Sequence, residues 1–158
     1  MLSSLLGFLL FNWHPSKLFM GDTGSQFLGL FLAAMGITYF WNANDAWGEE
    51  IQSKQLLITA LAFIIPITDT TTVVINRLLE KKSPFVGGRD HTTHNLFFIG
   101  LTEKKIALLF SAISFISLIF IGIIMNYIEN WNWMHILLFS AYFLSVFFAL
   151  FFITRKKK

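Results

Sequence analysis

Two short stretches of this 158-residue chain hold most of its chemistry-bearing side chains. The first, KLFMGDTGS at positions 17–25, sets Lys17 ahead of Asp22, places Gly21 and Gly24 around Asp22 and Thr23, and ends in Ser25. Glycines there permit positive φ and close approach of a ligand to the backbone, and Ser25 predicts a cap for the apolar helix that follows. A carboxylate beside a helix N-terminus can hold a hard cation that bridges to phosphate. The plain alternative is a helix cap built from Asp, Thr and Ser, and these few residues taken alone favour the cap.

The second stretch, KKSPFVGGRDHTTHNLFFIG at positions 81–100, brings Arg89, Asp90, His91 and His94 together within six residues after Pro84 and a Gly pair have broken any helix. If this part is helical, His91 and His94 share a face at i to i+3. Guanidinium matches phosphate oxygens in a bidentate way, so this loop can grip a diphosphate; otherwise it is a solvated basic loop that fixes topology. Two histidines without any cysteine are too few for a zinc site, and Phe97 and Phe98 suit a membrane interface. A third candidate, Asp69 in PITDTTTVVINR, lies inside an apolar run, where a carboxylate is costly and is a functional hypothesis by default. Helical spacing puts Asp69, Thr72 and Asn76 on one polar stripe ending at Arg77. The competing role for Asp69 is to accept hydrogen bonds from a neighbouring helix and order the bundle.

The elements that must position these groups are membrane helices. Hydrophobic residues make up 55% of the chain, nineteen are Phe, and only 13% are charged. That is more apolar material than one soluble core of this size buries. The predicted class is an all-α polytopic membrane protein, a single membrane domain over 1–158. Spans are expected at Ile106–Ile128, Met134–Ile153, Leu56–Leu79 and, shorter, Ser25–Trp41, because a crossing takes about 20 residues. Met1–Trp13 is apolar but short and lacks the features of a signal peptide; it reads as the end of a helix whose beginning is missing. Pro66, Asp69 and the neighbouring threonines require the second half of Leu56–Leu79 to face protein or water. Eleven of the twelve cations fall on one side if the spans alternate, Lys54 being the exception. That side is predicted to be cytoplasmic. It carries both polar, chemistry-bearing stretches, 14–24 and 80–105, opposite external loops at 42–54 and 127–133. No basic, aromatic-interleaved face is present, so nucleic acid is not an expected partner.

KLFMGDTGS followed about fifty residues later by PITDTTTVVINRLLEKKSPFVGGRDHTTHNL resembles the polyprenyl-phosphate N-acetylhexosamine-1-phosphate transferases of glycosyltransferase family 4, bacterial membrane enzymes that start surface glycans. The order, spacing and membrane side of these motifs all agree. The resemblance implies transfer of a HexNAc-1-phosphate, GlcNAc-1-phosphate first, from a UDP-sugar to undecaprenyl phosphate with release of UMP. It implies a magnesium cofactor, with manganese as the alternative, and Asp22 as metal ligand and catalytic residue. His91 and His94 become the family's catalytic histidine loop. Lys17, Gly21, Thr23, Gly24, Ser25, Asn76, Arg89 and Asp90 become substrate contacts, and Asp69 a further candidate. Relatives often carry a denser histidine motif, and Thr93 stands here in place of its middle histidine.

Relatives in this family have ten or eleven spans and an adjacent aspartate pair in their first half, which is absent here. The expectation is therefore a C-terminal part of a transferase, inactive without the N-terminal half that would be its partner, in a bacterial inner membrane with a cytoplasmic C-terminus. A homodimer is an allowed assembly. The tail and the short R-D-H loop favour the branch that initiates lipopolysaccharide, common-antigen and teichoic-acid glycans over the MurNAc-pentapeptide phosphotransferase branch. A non-catalytic membrane subunit and a small carrier using Asp69 as a relay are the rival classes.

Overall fold

The computed structural model describes every residue except 1, 14, 43, 45–47, 49–50, 86–87, 89 and 156–158. The described residues are helical with no strand: α1 (Leu2–Asn12), α2 (Gly21–Gly36) continuing through a π-helical stretch Ile37–Trp41, α3 (Gln52–Ala62), α4 (Ile64–Leu79), α5 (Thr92–Phe98), α6 (Glu103–Asn126) and α7 (Trp133–Arg155). Three helices, Gly21–Trp41, Glu103–Asn126 and Trp133–Arg155, are long and apolar enough to cross a bilayer. The pair α3 and α4 adds a fourth crossing if its two halves act as one span. The chain is a multi-pass membrane protein.

Two spans differ from the sequence expectation, each for a local reason. Leu56–Leu79 is not a continuous helix: it bends by 80° between Ala62 and Ile64. Pro66 lacks the N–H that would bond the Ala62 carbonyl, and its ring crowds that carbonyl, so the helix stops and restarts with Pro66 in its first turn. The span expected at Ser25–Trp41 starts four residues earlier, at Gly21, whose φ of +69° makes the sharp entry turn. Ser25 is consequently inside the helix and is not its cap, and its Oγ donates to the Asp22 carbonyl at 3.0 Å.

Two apolar clusters hold the bundle. Ile58 and Leu61 of α3 meet Ile121 and Ile124 of α6 and Phe139 of α7 in one. At the opposite end of the α6–α7 pair, Leu96 of α5 packs against Ile106 and Leu150. Between them α6 and α7 touch through large aromatic side chains: the Phe120 ring lies 5.5 Å from Phe139 and 4.8 Å from Tyr142, and the Tyr142 hydroxyl donates to the Ile113 carbonyl at 3.1 Å. Lys54, the cation that breaks the charge asymmetry, is 2% exposed. Its Nζ donates to the Ile128 carbonyl at 3.1 Å and lies 5.8 Å from the centre of the Trp131 ring, while Trp131 Nε1 donates to Ser53 Oγ at 3.0 Å. An ammonium at this depth is held by a carbonyl and a ring face, and it ties the 127–133 turn to α3.

Candidate active site

Two side chains of α4 reach off the helix and fix the segment that follows it. Arg77 Nε and Nη2 donate to Asp90 Oδ2 and Oδ1 at 2.5 and 2.7 Å, and Nη1 donates to the Pro84 carbonyl at 2.8 Å. The planar fork of the guanidinium closes a loop of thirteen residues in this way and draws Asp90 back onto the end of α4. Gly88 lies against the pair: a Cβ there would stand 2.6 Å from Asp90 Oδ1 and 2.9 Å from Arg77 Nη2. Gly88→Ala is expected to open the pair and destabilise the loop by about 1–3 kcal/mol, read as faster proteolysis within 80–91 with α6 and α7 unaffected.

The second anchor is Asp69. Its Oδ1 accepts the Thr92 backbone N–H at 2.7 Å, and its Oδ2 lies 2.8 Å from His91 Nδ1. His91 is the N-cap residue of α5 by backbone geometry, yet its own side chain does not cap the helix. A carboxylate from α4 does so instead, satisfying one of the free N–H groups of the first turn. Asn95 Nδ2 adds hydrogen bonds to the carbonyls of Asp90 and His91 at 3.0 and 3.1 Å. Asp69 therefore orders the bundle, as its plain reading required, and in doing so holds a histidine of the predicted site.

The two histidines do not share a helical face. His91 precedes α5 in extended backbone, because residue 91 must leave the helix for its carbonyl to begin it, and its ring turns to Asp69. His94 lies within α5 and lines a groove of about 480 Å³ with Thr93, Phe97, Phe98 and Phe110. The polar stripe of α4 also divides. Asp69 turns to α5, Thr72 is fully buried, and Asn76 Nδ2 donates to Thr154 Oγ1 of α7 at 2.8 Å. Asn76 is thus a helix-packing contact and not part of this cluster.

Lys17 is exposed in the extended stretch before α2, and Asp22, Thr23 and Ser25 are exposed in the first turn of that helix. Gly24 packs under Met20, whose Cγ would lie 2.6 Å from an added Cβ. No hydrogen bond or ion pair among the described residues joins Gly21–Ser25 to α4 or α5. Arg89 lies outside the described residues. Among the described residues no three His, Asp or Glu side chains are grouped to hold a metal ion. Asp22 offers a single exposed carboxylate, so the donor set here does not by itself fit magnesium. In the sequence Arg77 reads only as one of the same-side cations at the end of the α4 polar stripe, and Asn95 carries no signal. The available signal was an arginine in the last turn of an apolar run, thirteen residues before an aspartate.

Arg77 holds the Asp90 carboxyl below its ordinary value of 3.8, chiefly through the side-chain hydrogen bonds. A depressed carboxyl stabilises the folded loop above its unfolded pKa and loses that stabilisation as pH falls through the folded value. The loop is therefore expected to stay closed from neutral pH down to about 4 and to open in stronger acid. Proteolysis of 80–91 as a function of pH measures it.

The profile of "Glycosyl transferase family 4" matches residues 1–40. The chain is 33% identical over 115 residues to the "Probable undecaprenyl-phosphate N-acetylglucosaminyl 1-phosphate transferase" of Bacillus subtilis (strain 168), covering 73% of this chain and 30% of that protein. It is 35% identical over 111 residues to the decaprenyl-phosphate N-acetylglucosaminephosphotransferase of Mycobacterium leprae (strain TN), covering 67% and 28% of the two chains. It is 31% identical over 125 residues to the phospho-N-acetylmuramoyl-pentapeptide-transferase of Carboxydothermus hydrogenoformans, covering 77% and 34%. No solved structure matches the chain. The chain thus spans about three-tenths of the length of these relatives. The motifs, the membrane helices and these relatives lead to one assignment: the chain belongs to glycosyl transferase family 4.

Proposed function

We propose that this chain forms part of a phosphoglycosyltransferase that moves a HexNAc-1-phosphate, GlcNAc-1-phosphate first, from a UDP-sugar to undecaprenyl phosphate and releases UMP. A terminal oxygen of the lipid phosphate attacks the phosphorus that carries the sugar, and the bond from that phosphorus to the oxygen of UMP breaks. A phosphate monoester has a second pKa near 6, so the attacking group is largely a dianion at neutral pH and needs little help from a base. The main difficulty is bringing two anions together. The single observation that carries this reading is the tethering of the histidine segment to α4 by Asp69 and Arg77, which holds His91 at the end of the bundle where Lys104, Lys105 and Arg155 are also found.

In this reading His91 and His94 contact the diphosphate of the nucleotide sugar, and Lys17, Thr23 and the Gly21–Ser25 turn meet the phosphates from the α2 side. Asp90 acts indirectly, by keeping the loop on Arg77. Asp22 would supply one oxygen ligand if a magnesium ion is bound there, and the remaining ligands would have to come from outside this segment. This chain alone is expected to bind neither magnesium nor donor productively. The Lys/Arg-rich end faces the cytoplasm of a bacterial inner membrane, following the charge asymmetry of the loops.

A second reading, transfer of a MurNAc-pentapeptide phosphate, is favoured by the similarity to the Carboxydothermus hydrogenoformans protein. Labelled UDP-GlcNAc and labelled UDP-MurNAc-pentapeptide, each offered with undecaprenyl phosphate to membranes containing this chain within a full-length relative, separate the two. Label in the lipid fraction from UDP-GlcNAc alone supports the first reading; label from the pentapeptide donor alone replaces it with the second.

A further inference from the structure

We propose that Asp69 is a positioning residue that fixes the tautomer of His91, making Nε2 the nitrogen that meets the substrate phosphates. The step from tautomer to phosphate rests on the transfer reading above, whereas the tautomer itself follows from the geometry of this chain alone.

Asp69 Oδ2 lies 2.8 Å from His91 Nδ1, and the carboxylate has no proton to offer at neutral pH, so the ring nitrogen is the donor. Neutral His91 then carries its proton on Nδ1 and leaves the lone pair on Nε2. Protonated His91 keeps the Nδ1 proton and adds one on Nε2. In both states Nδ1 is occupied by Asp69, and only Nε2 changes. The side chain is 49% exposed, and Nε2 has no hydrogen-bond partner among the described residues.

Asp69 is itself immobilised. Its other oxygen accepts the Thr92 N–H at 2.7 Å, so rotation of the carboxylate away from His91 would also uncap α5. Asn95, through the carbonyls of Asp90 and His91, sets the backbone from which the ring projects. The arrangement is that of a histidine oriented by a carboxylate on its rear nitrogen, which defines both ring orientation and the proton-bearing atom. Nε2 can then donate to a phosphate oxygen when protonated, or accept a proton when neutral. A histidine left to water would have no such restriction.

The test needs no substrate. The chain is labelled with 15N-histidine, reconstituted in nanodiscs and held at a pH where its imidazoles are neutral. Nitrogen shifts then report which ring nitrogen bears the proton, and His91→Gln identifies the signals. Wild type is expected to show a protonated Nδ1 and a bare Nε2. Asp69→Asn should invert this: the Asn carbonyl keeps the Thr92 cap, while its NH2 now donates to Nδ1 and moves the proton to Nε2. Inversion with α5 intact supports the positioning role. A protonated Nε2 in wild type, or the same tautomer in both proteins, overturns it. Because donor and acceptor are absent from this experiment, its failure leaves the transfer reading standing, and failure of that reading leaves the tautomer standing.

Discussion

His91→Gln is expected to lower sugar-phosphate transfer by roughly 100-fold or more, in a full-length relative carrying this segment, without unfolding the bundle. Gln cannot carry the positive charge that His91 can place on Nε2. Its loss should fall mainly on kcat, because the developing charge on the leaving UMP needs the interaction more than the ground state does. Nothing in the packing opposes the substitution: the His91 side chain is half exposed, and the α5 cap is made by Asp69 rather than by the His91 side chain. Asp69→Asn is expected to give a smaller fall, on the order of 10-fold, because ligand-orienting partners commonly contribute that much. Steady-state transfer rates of the two variants, with helicity measured alongside, check the ranking. Equal and complete loss in both, accompanied by loss of helix content, would return Asp69 to a purely structural role.

Asp90→Ala is expected to have the largest effect on local structure. Arg77 is held by Asp90 through two charge-assisted hydrogen bonds, and its side chain is 9% exposed. Losing the carboxylate costs about 1–3 kcal/mol of loop stability, the lower part of that range reflecting solvent at Asp90, whose side chain is 38% exposed. The loop from 80 to 91 would then leave the end of α4, and His91 would lose one of its two tethers. Hydrogen exchange should show the change in the backbone of 80–91 and in the first turn of α5, while the α3–α6–α7 cluster around Ile58, Ile121 and Phe139 stays protected. Asp90→Asn keeps one acceptor and should fall between Ala and wild type. A uniform rise in exchange across all helices would show instead that the pair supports the whole bundle.

How far the sequence disclosed this arrangement depends on whether the determining interaction is local. The spans of α6 and α7 were plain because unbroken apolar runs of bilayer length have few alternatives. Pro66 is visible too, but in the sequence it marks a more polar half of the span and not a change of direction. A proline in the first turn can break a run as well as sit within it, and the 80° bend falls where Pro66 lacks the N–H that would bond the Ala62 carbonyl. Asp69 stood out as an expensive residue. Its partners, however, lie twenty-two and twenty-three positions away, at His91 and Thr92, and no periodicity links them. The same holds for Arg77 and Asp90. Placing His91 and His94 on one face assumed a helix through both, whereas helix start depends on which residue supplies the first cap, and that is decided by Asp69 from another element. Ser25 was expected as a cap because its type suits one; Gly21, by taking the left-handed turn, started the helix earlier and left the hydroxyl to bond the Asp22 carbonyl. Lys54 shows the converse: a cation that charge counting set aside is buried under Trp131 as a fixed tie between elements.

Among the acids singled out in the sequence, Asp69 holds His91 and Thr92 and Asp90 holds Arg77, while the Asp22 side chain is exposed and pairs with no described residue. Of these three it is therefore the carboxylate most open to a ligand outside this segment. The measurement that tests the central claim most directly is UMP release from UDP-GlcNAc by a full-length relative carrying this segment, with and without undecaprenyl phosphate, as wild type and as Asp22→Asn. The account predicts release that requires the lipid phosphate and falls by at least about 100-fold in Asp22→Asn. Release that is independent of the lipid phosphate, or undiminished in Asp22→Asn, would contradict it.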